Sequence, residues 1–268
     1  MTERPENAPK PDPWSRLRSL TPARIGLGRT GASLPADEVL RFRMAHAGAR
    51  DAVHNPFDVD ALRAALDNPR FAPLVVSSAA PSRDAYLRRP DLGRRLSPEG
   101  RVLLEERAAA SVDLAIVVTD GLSSTAIHRQ AVPFIEAFAP HIDRSGWTLA
   151  PVVLALQGRV ALGDEIGAIL RARAVVMLIG ERPGLSSADS LGIYLTYDPR
   201  IGRNDAQRNC ISNVRPEGLG YRQAAFRLHW LLARAFERRM SGVALKDESD
   251  LASLDADTGA AGLVNDGD

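Results

Sequence analysis

Apolar runs and helical periodicities alternate along most of the chain. Residues 174–179, AVVMLI, carry no charge and end at Gly180 in the turn GERPG. Such a run predicts a strand buried on both faces. Strands are also expected from LVVSS, beginning just after Pro73, over residues 113–119, and over residues 147–156. Helical spacing comes after several of them. Ile127, Ala131, Phe134, Ile135 and Phe138 share one face, with Pro133 implying a late start or a kink. Leu162, Ile166, Ile169 and Leu170 share another, and Ala225, Leu228, Leu232 and Ala235 mark a last helix over residues 221–240. Residues 192–197 can form a further strand, and a polar loop then leads to Cys210. Strand, turn and helix in repeated succession predict an α/β fold, Rossmann-like, with a largely parallel sheet flanked by helices.

Patterning also divides the chain. Residues 1–12 are proline-rich and polar, and are read as a flexible tail. Residues 13–70 form a small helical N-terminal unit, with Leu40, Met44 and Ala47 at helical spacing and Leu62 and Leu66 continuing after Pro56. The α/β domain occupies residues 71–240, and residues 241–268 read as a disordered acidic tail. Gly26, Gly28 and Gly31 stand in the order G-x-G-x-x-G. A dinucleotide cradle needs a strand before the first glycine and a helix after the last. Residues 21–24 make no hydrophobic strand and Pro35 interrupts the segment after the glycines, so a connecting loop is the better reading.

Composition narrows the class of function. The chain has 268 residues and a formal net charge of +1, which argues for neither nucleic acid nor an anionic membrane as partner. Its cations are almost all arginine, with only Lys10 and Lys246 as lysines. The single Cys210 excludes an intrachain disulfide and fits a cytoplasmic setting. No stretch has the length of a transmembrane helix and the N-terminus lacks a signal-peptide core.

In open α/β sheets ligands meet the chain just beyond the carboxyl ends of strands, where Glu181 and Arg182 stand. Asp120 ends another strand and can hold a ligand or cap the backbone beside Gly121. Arg83, Arg88, Arg89, Arg94 and Arg95 can clamp an anion or form a solvated face. Cys210 can be a nucleophile or a small packed hydrophobe. The five histidines have no metal-ligand spacing, and there is no nucleophile elbow, Walker loop or cysteine pair. The residues alone describe a ligand-binding domain without a self-contained catalytic apparatus. A nucleotide-binding Rossmann enzyme and a non-catalytic regulatory module remain open alternatives.

The segments RIGLGRTG, AYLRRPDLGRRL, VVTDGLSSTAI, QGRVALGDEIG, VVMLIGERPGLSSADSLGIY and RNCISNV, in that order, resemble the light chain of bacterial ethanolamine ammonia-lyase over residues 15–240. The resemblance implies a Rossmann-like, cobalamin-binding light chain that docks on a barrel-shaped heavy chain in a higher hetero-oligomer. Adenosylcobalamin would lie between the two chains and serve the conversion of ethanolamine to acetaldehyde and ammonia. Three cobalamin contacts are implied at matching positions, Val160 in QGRV, Glu181 in GERPG and Cys210 in NCISN. Catalytic residues are expected on the heavy chain and none here. A cytoplasmic location is implied, within a bacterial microcompartment in some members, although the short N-terminal tail shows no amphipathic targeting helix. No histidine stands in a D-x-H-x-x-G loop, so the cofactor is expected to keep its own base on cobalt.

Overall fold

The computed structural model describes residues 14–250, except 22 and 109. The expected tail of residues 1–12 lies outside them, as do residues 251–268. Eight α-helices are described: α1 (Ser15–Arg18), α2 (Ala36–His54), α3 (Val59–Ala65), α4 (Arg83–Arg88), α5 (Pro98–Arg107), α6 (Ser124–Ser145), α7 (Leu162–Ile169) and α8 (Tyr221–Arg238). Six strands form one sheet: β1 (Leu74–Ser77), β2 (Val112–Thr119), β3 (Val153–Leu156), β4 (Ala172–Gly180), β5 (Leu191–Tyr197) and β6 (Arg208–Val214). Their spatial order is β1-β3-β2-β4-β5-β6.

The first four strands are mutually parallel, but β5 runs antiparallel to β4, and β6 antiparallel to β5. The sheet is therefore mixed, which corrects the largely parallel sheet expected from the sequence. A parallel return after β4 would need a crossover, usually helical, and residues 181–190 contain no helix. The antiparallel third of the sheet also departs from the all-parallel Rossmann order, so the fold class that stands is α/β with a mixed sheet.

Alternation along the central strands divides the core in two. Leu114, Ile116 and Val118 of β2, with Ala174, Val176 and Leu178 of β4, face α6 and α8. Ala115, Val117, Val175 and Met177 face the side where Leu104 of α5 and Leu162 and Ile166 of α7 pack. Both faces are covered, which is why these strands read as unbroken apolar runs. Helix α6 runs through Pro133 and Pro140. The expected late start does not occur, because Ile127, Ala131, Phe134, Ile135 and Phe138 are all buried against the sheet and that packing outweighs two lost backbone bonds. The strand expected over residues 147–156 shortens to β3. Pro151 cannot donate to a ladder, and Leu149 makes only an isolated bridge to Leu114.

The N-terminal unit is held where β2 ends. Ser124 Oγ donates to the Asn55 carbonyl at 2.6 Å, and the Asp58 amide donates to His128 Nε2 at 3.0 Å. Arg83 Nε reaches the Val53 carbonyl at 2.9 Å. The three glycines 26, 28 and 31 all have positive φ and lie in a loop with no strand before them, among the described residues. At the other end, the acidic tail expected from residue 241 packs on the body as far as residue 250. Leu245 is buried, and Asn209 Nδ2 donates to its carbonyl at 2.7 Å. No described helix is long and apolar enough to cross a membrane.

Candidate functional site

The carboxyl ends of β2, β3 and β4 meet around a tight crossing of backbone. A Cβ on Gly180 would lie 2.0 Å from the Ser123 carbonyl oxygen, so only glycine lets the end of β4 approach the turn before α6 so closely. The Gly180 carbonyl accepts the Leu122 amide at 2.9 Å. Ser123 caps α6, its Oγ accepting the Ala126 amide at 3.2 Å and donating to the Ala188 carbonyl at 2.7 Å. The turn after β2 and the loop after β4 are thereby tied together.

An open cleft of about 440 Å³ lies beside this crossing. Leu122, Val160 and Ile179 give it apolar walls, Arg159, Glu181, Arg182 and Tyr194 give it a polar rim, and the buried Tyr86 supports it. Val160 and Glu181, expected as contacts from separate segments, therefore line one cleft. Cys210 is not among the lining residues. It sits on β6 directly across from Tyr194 of β5, and cross-strand partners present their side chains on one face. Tyr194 is the link between Cys210 and the cleft. The segment around Cys210, to which a polar loop was expected to lead, is a strand. Its burial follows no two-residue period, because a register irregularity interrupts its pairing with β5.

Glu181 holds the local architecture. Its carboxylate accepts the hydroxyls of Ser190 and Ser212 and the Asn213 amide, the last at 3.3 Å, so it joins both ends of the β4–β5 loop to β6. A carboxylate offers about four acceptor positions, which leaves one for a ligand donor. The Cys210 thiol is solvent-accessible, yet the protein packed around it pushes its pKa up, with Glu181 adding in the same direction against a hydrogen bond with Tyr194. A raised thiol is a neutral contact and a poor nucleophile. Burial likewise raises the phenol of Tyr194, with Cys210 as the next cause.

Asp120 turns out to be a structural residue. It is 3% exposed, its Oδ2 pairs with Arg83 at 2.8 Å, and its Oδ1 accepts the Gln157 amide at 2.7 Å. Burial pushes its carboxyl up, while Arg83 pulls it down. The arginine run divides by position. Arg83 is engaged by Asp120, Gly121 and Val53 through Nε and Nη1, with its Nη2 buried and unpaired, while Arg88 and Arg89 pair with Asp84 and Asp91 on the surface. Arg94 and Arg95 form no ion pair among the described residues. No group of three or more His, Cys, Asp and Glu side chains there is placed to hold a metal ion.

Tyr86, Arg159 and Tyr194 were not singled out from the sequence. Tyr86 is fully buried, donates to the Gly158 carbonyl at 3.1 Å, and supports Arg159 with its ring, 4.2 Å from centroid to guanidinium. Its only signal is position, a tyrosine two residues before the arginine pair in AYLRR.

A family model described as ethanolamine ammonia-lyase light chain (EutC) matches residues 11–246. The small subunit of ethanolamine ammonia-lyase from Pseudomonas syringae pv. tomato is 55% identical over 263 residues, 97% of this chain and 92% of the relative. The small subunit from Ralstonia nicotianae is 54% identical over 262 residues, covering 96% and 97%. That from Xanthomonas campestris pv. campestris is 55% identical over 253 residues, covering 93% of each. With the match running from before α1 to beyond α8 at such identity, the chain belongs to the ethanolamine ammonia-lyase light-chain family, the small subunit of a lyase of ethanolamine utilization.

Proposed function

We propose that this chain binds adenosylcobalamin at the cleft beside Gly180 and, covered there by a heavy chain, takes part in converting ethanolamine to acetaldehyde and ammonia. The observation that carries the reading is convergence. Val160 and Glu181, distant in sequence, line one cleft, and Cys210 stands across from Tyr194 on its rim. The residues suit a corrin, which has a broad apolar face and an amide-bearing edge. Val160, Leu122 and Ile179 can pack on the face. Glu181 has an acceptor position for an edge amide, and the Arg159 Nε is buried without a partner, as expected of a donor awaiting a ligand.

When bound, the cofactor supplies a cobalt–carbon bond whose homolysis begins radical chemistry. This chain positions it. Glu181 fixes the β4–β5 loop against β6, so cofactor contacts from three strands keep one geometry. Cys210, a neutral thiol, adds shape and no charge. His128 is no axial ligand in this reading, since its Nε2 accepts the Asp58 amide and its ring stacks on Phe57. Helix α2 supports a partner. Among its residues only Ala52 is buried, while Leu40 is 59% and Met44 75% exposed, on a helix anchored beside the cleft. We place the complex in the cytoplasm. Any microcompartment-targeting role of residues 1–12 falls outside the described residues.

The test is reconstitution. The light chain with adenosylcobalamin should not deaminate ethanolamine, and the light chain with heavy chain and cofactor should. Turnover by the light chain alone would overturn the reading.

A further inference from the structure

The cofactor cleft runs into a second cleft of about 830 Å³ across Arg159 and Val160, which line both. Six arginines and four carboxylates line the second, an excess of two positive charges. Every one of those carboxylates is engaged. Arg208 pairs with Asp164 and Asp205, Arg101 with Glu165, and Arg89 with Asp91, while Arg203 turns to Asp198. Arg94, Arg95 and Arg159 are left with no ion pair among the described residues.

Arg159 is the most constrained of the three. Its guanidinium lies over the Tyr86 ring, its buried Nε has no partner, and its contact with the Tyr86 carbonyl is long at 3.4 Å. A buried guanidinium donor left unpaired is costly, and an anion in the cleft would complete it. The backbone supplies further donors. The amides of Val160 and Ala161, just ahead of α7, donate to nothing among the described residues, and they stand at the positive end of that helix. Asp164 and Glu165 in its first turn do not answer this need, since both are drawn to arginines of their own.

We infer that Arg94, Arg95, Arg159 and the Val160 and Ala161 amides form a binding site for a phosphate group. A planar guanidinium, two further arginines and two adjacent unpaired amides lining one cleft match a tetrahedral anion with several acceptor oxygens. The source of the phosphate rests on the cofactor reading above. Cobalamin carries a phosphodiester in its nucleotide loop, and a corrin at Val160 would place that loop within reach of the second cleft.

The experiment uses the light–heavy complex titrated with adenosylcobalamin and with adenosylcobinamide, which keeps the corrin and lacks the nucleotide loop. The exposed double variant Arg94→Gln/Arg95→Gln should weaken cobalamin binding by roughly tenfold to a hundredfold and leave cobinamide binding unchanged, while Arg159→Gln, at a residue that also lines the corrin cleft, should weaken cobalamin binding more than cobinamide binding. Titration with inorganic phosphate identifies a separate source: phosphate binding lost in both variants, with both corrinoids unaffected, supports the site with a free phosphate-bearing ligand. A complex that binds neither corrinoid removes the cofactor reading, and the phosphate titration then decides the site alone. Wild-type affinities for cobalamin and phosphate in both variants overturn the inference. So does weakened subunit association with ligand binding unchanged, which would assign the arginines to carboxylates of the heavy chain.

Discussion

Three acceptor positions of the Glu181 carboxylate are occupied by Ser190, Ser212 and Asn213, so one side chain serves both the fold and the site. Ser190 is only 5% exposed, and removing its acceptor leaves a buried hydroxyl unpaired. Glu181→Ala should therefore lower stability by about 1–3 kcal/mol. If the remaining acceptor position takes a corrin amide, cobalamin affinity should also fall roughly tenfold to a hundredfold, as for one charge-assisted bond of about 1.5–3 kcal/mol. A melt and a titration separate the two effects. A lowered melting temperature with cofactor affinity intact would make Glu181 a structural clamp alone. The sequence placed this glutamate at a strand end, but its partners are Ser190, just ahead of β5, and Ser212 and Asn213 on β6, brought together by a strand pairing that no local pattern encodes.

At the scale of elements, the α6–α8 packing carries a pH dependence. His141 and His229 lie 5.0 Å apart between ring centroids, with Trp147 against His229 at 5.3 Å. Burial holds both imidazoles below the ordinary 6.5, and the neighbouring charge of Arg144 acts in the same direction. The folded state thus binds these protons less tightly than the unfolded chain. Their contribution to stability is fully present above about pH 6.5 and is lost as pH falls through the depressed folded values. Melts between about pH 7.5 and 5 should show this decline, and His141→Gln/His229→Gln should flatten it. An unchanged slope in the double variant would assign the decline to other groups.

Helix α2 shows how a correct periodicity can still mislead about its partner. Leu40, Met44 and Ala47 do share a helix, but they are exposed. An apolar stripe that nothing among the described residues covers fits an interface. Leu40→Asp/Met44→Asp should weaken association with the heavy chain at least tenfold while shifting the light chain's own stability by no more than about 0.5 kcal/mol. Unchanged association would remove α2 from the interface.

Across the whole molecule, the sequence made legible the features that local pattern controls. The four parallel strands and helices α6, α7 and α8 arise from apolar runs and helical spacing, although β3 is shorter than its run. The mixed sheet was not legible, because strand direction depends on how residues 181–190 fold back. Strand β6 was hidden for a related reason. Arg208 opens it buried, which is tolerable because Asp164 on α7, far along the chain, pairs with it together with nearby Asp205. The site was half legible: Val160 and Glu181 stood at strand ends, whereas Tyr86, Arg159 and Tyr194 enter through contacts between distant segments. Their convergence makes the cofactor reading a statement about several distant segments at once.

Hydrogen–deuterium exchange of the light–heavy complex, with and without adenosylcobalamin, tests that convergence most directly. The Val160 and Ala161 amides have no acceptor within the described chain and should exchange quickly without cofactor. Bound cofactor should slow exchange at Val160 and Ala161, in the loop beginning at Glu181, and beside Cys210 together. Protection confined to other parts of the chain, with these three segments exchanging as before, would contradict a cofactor site at this cleft.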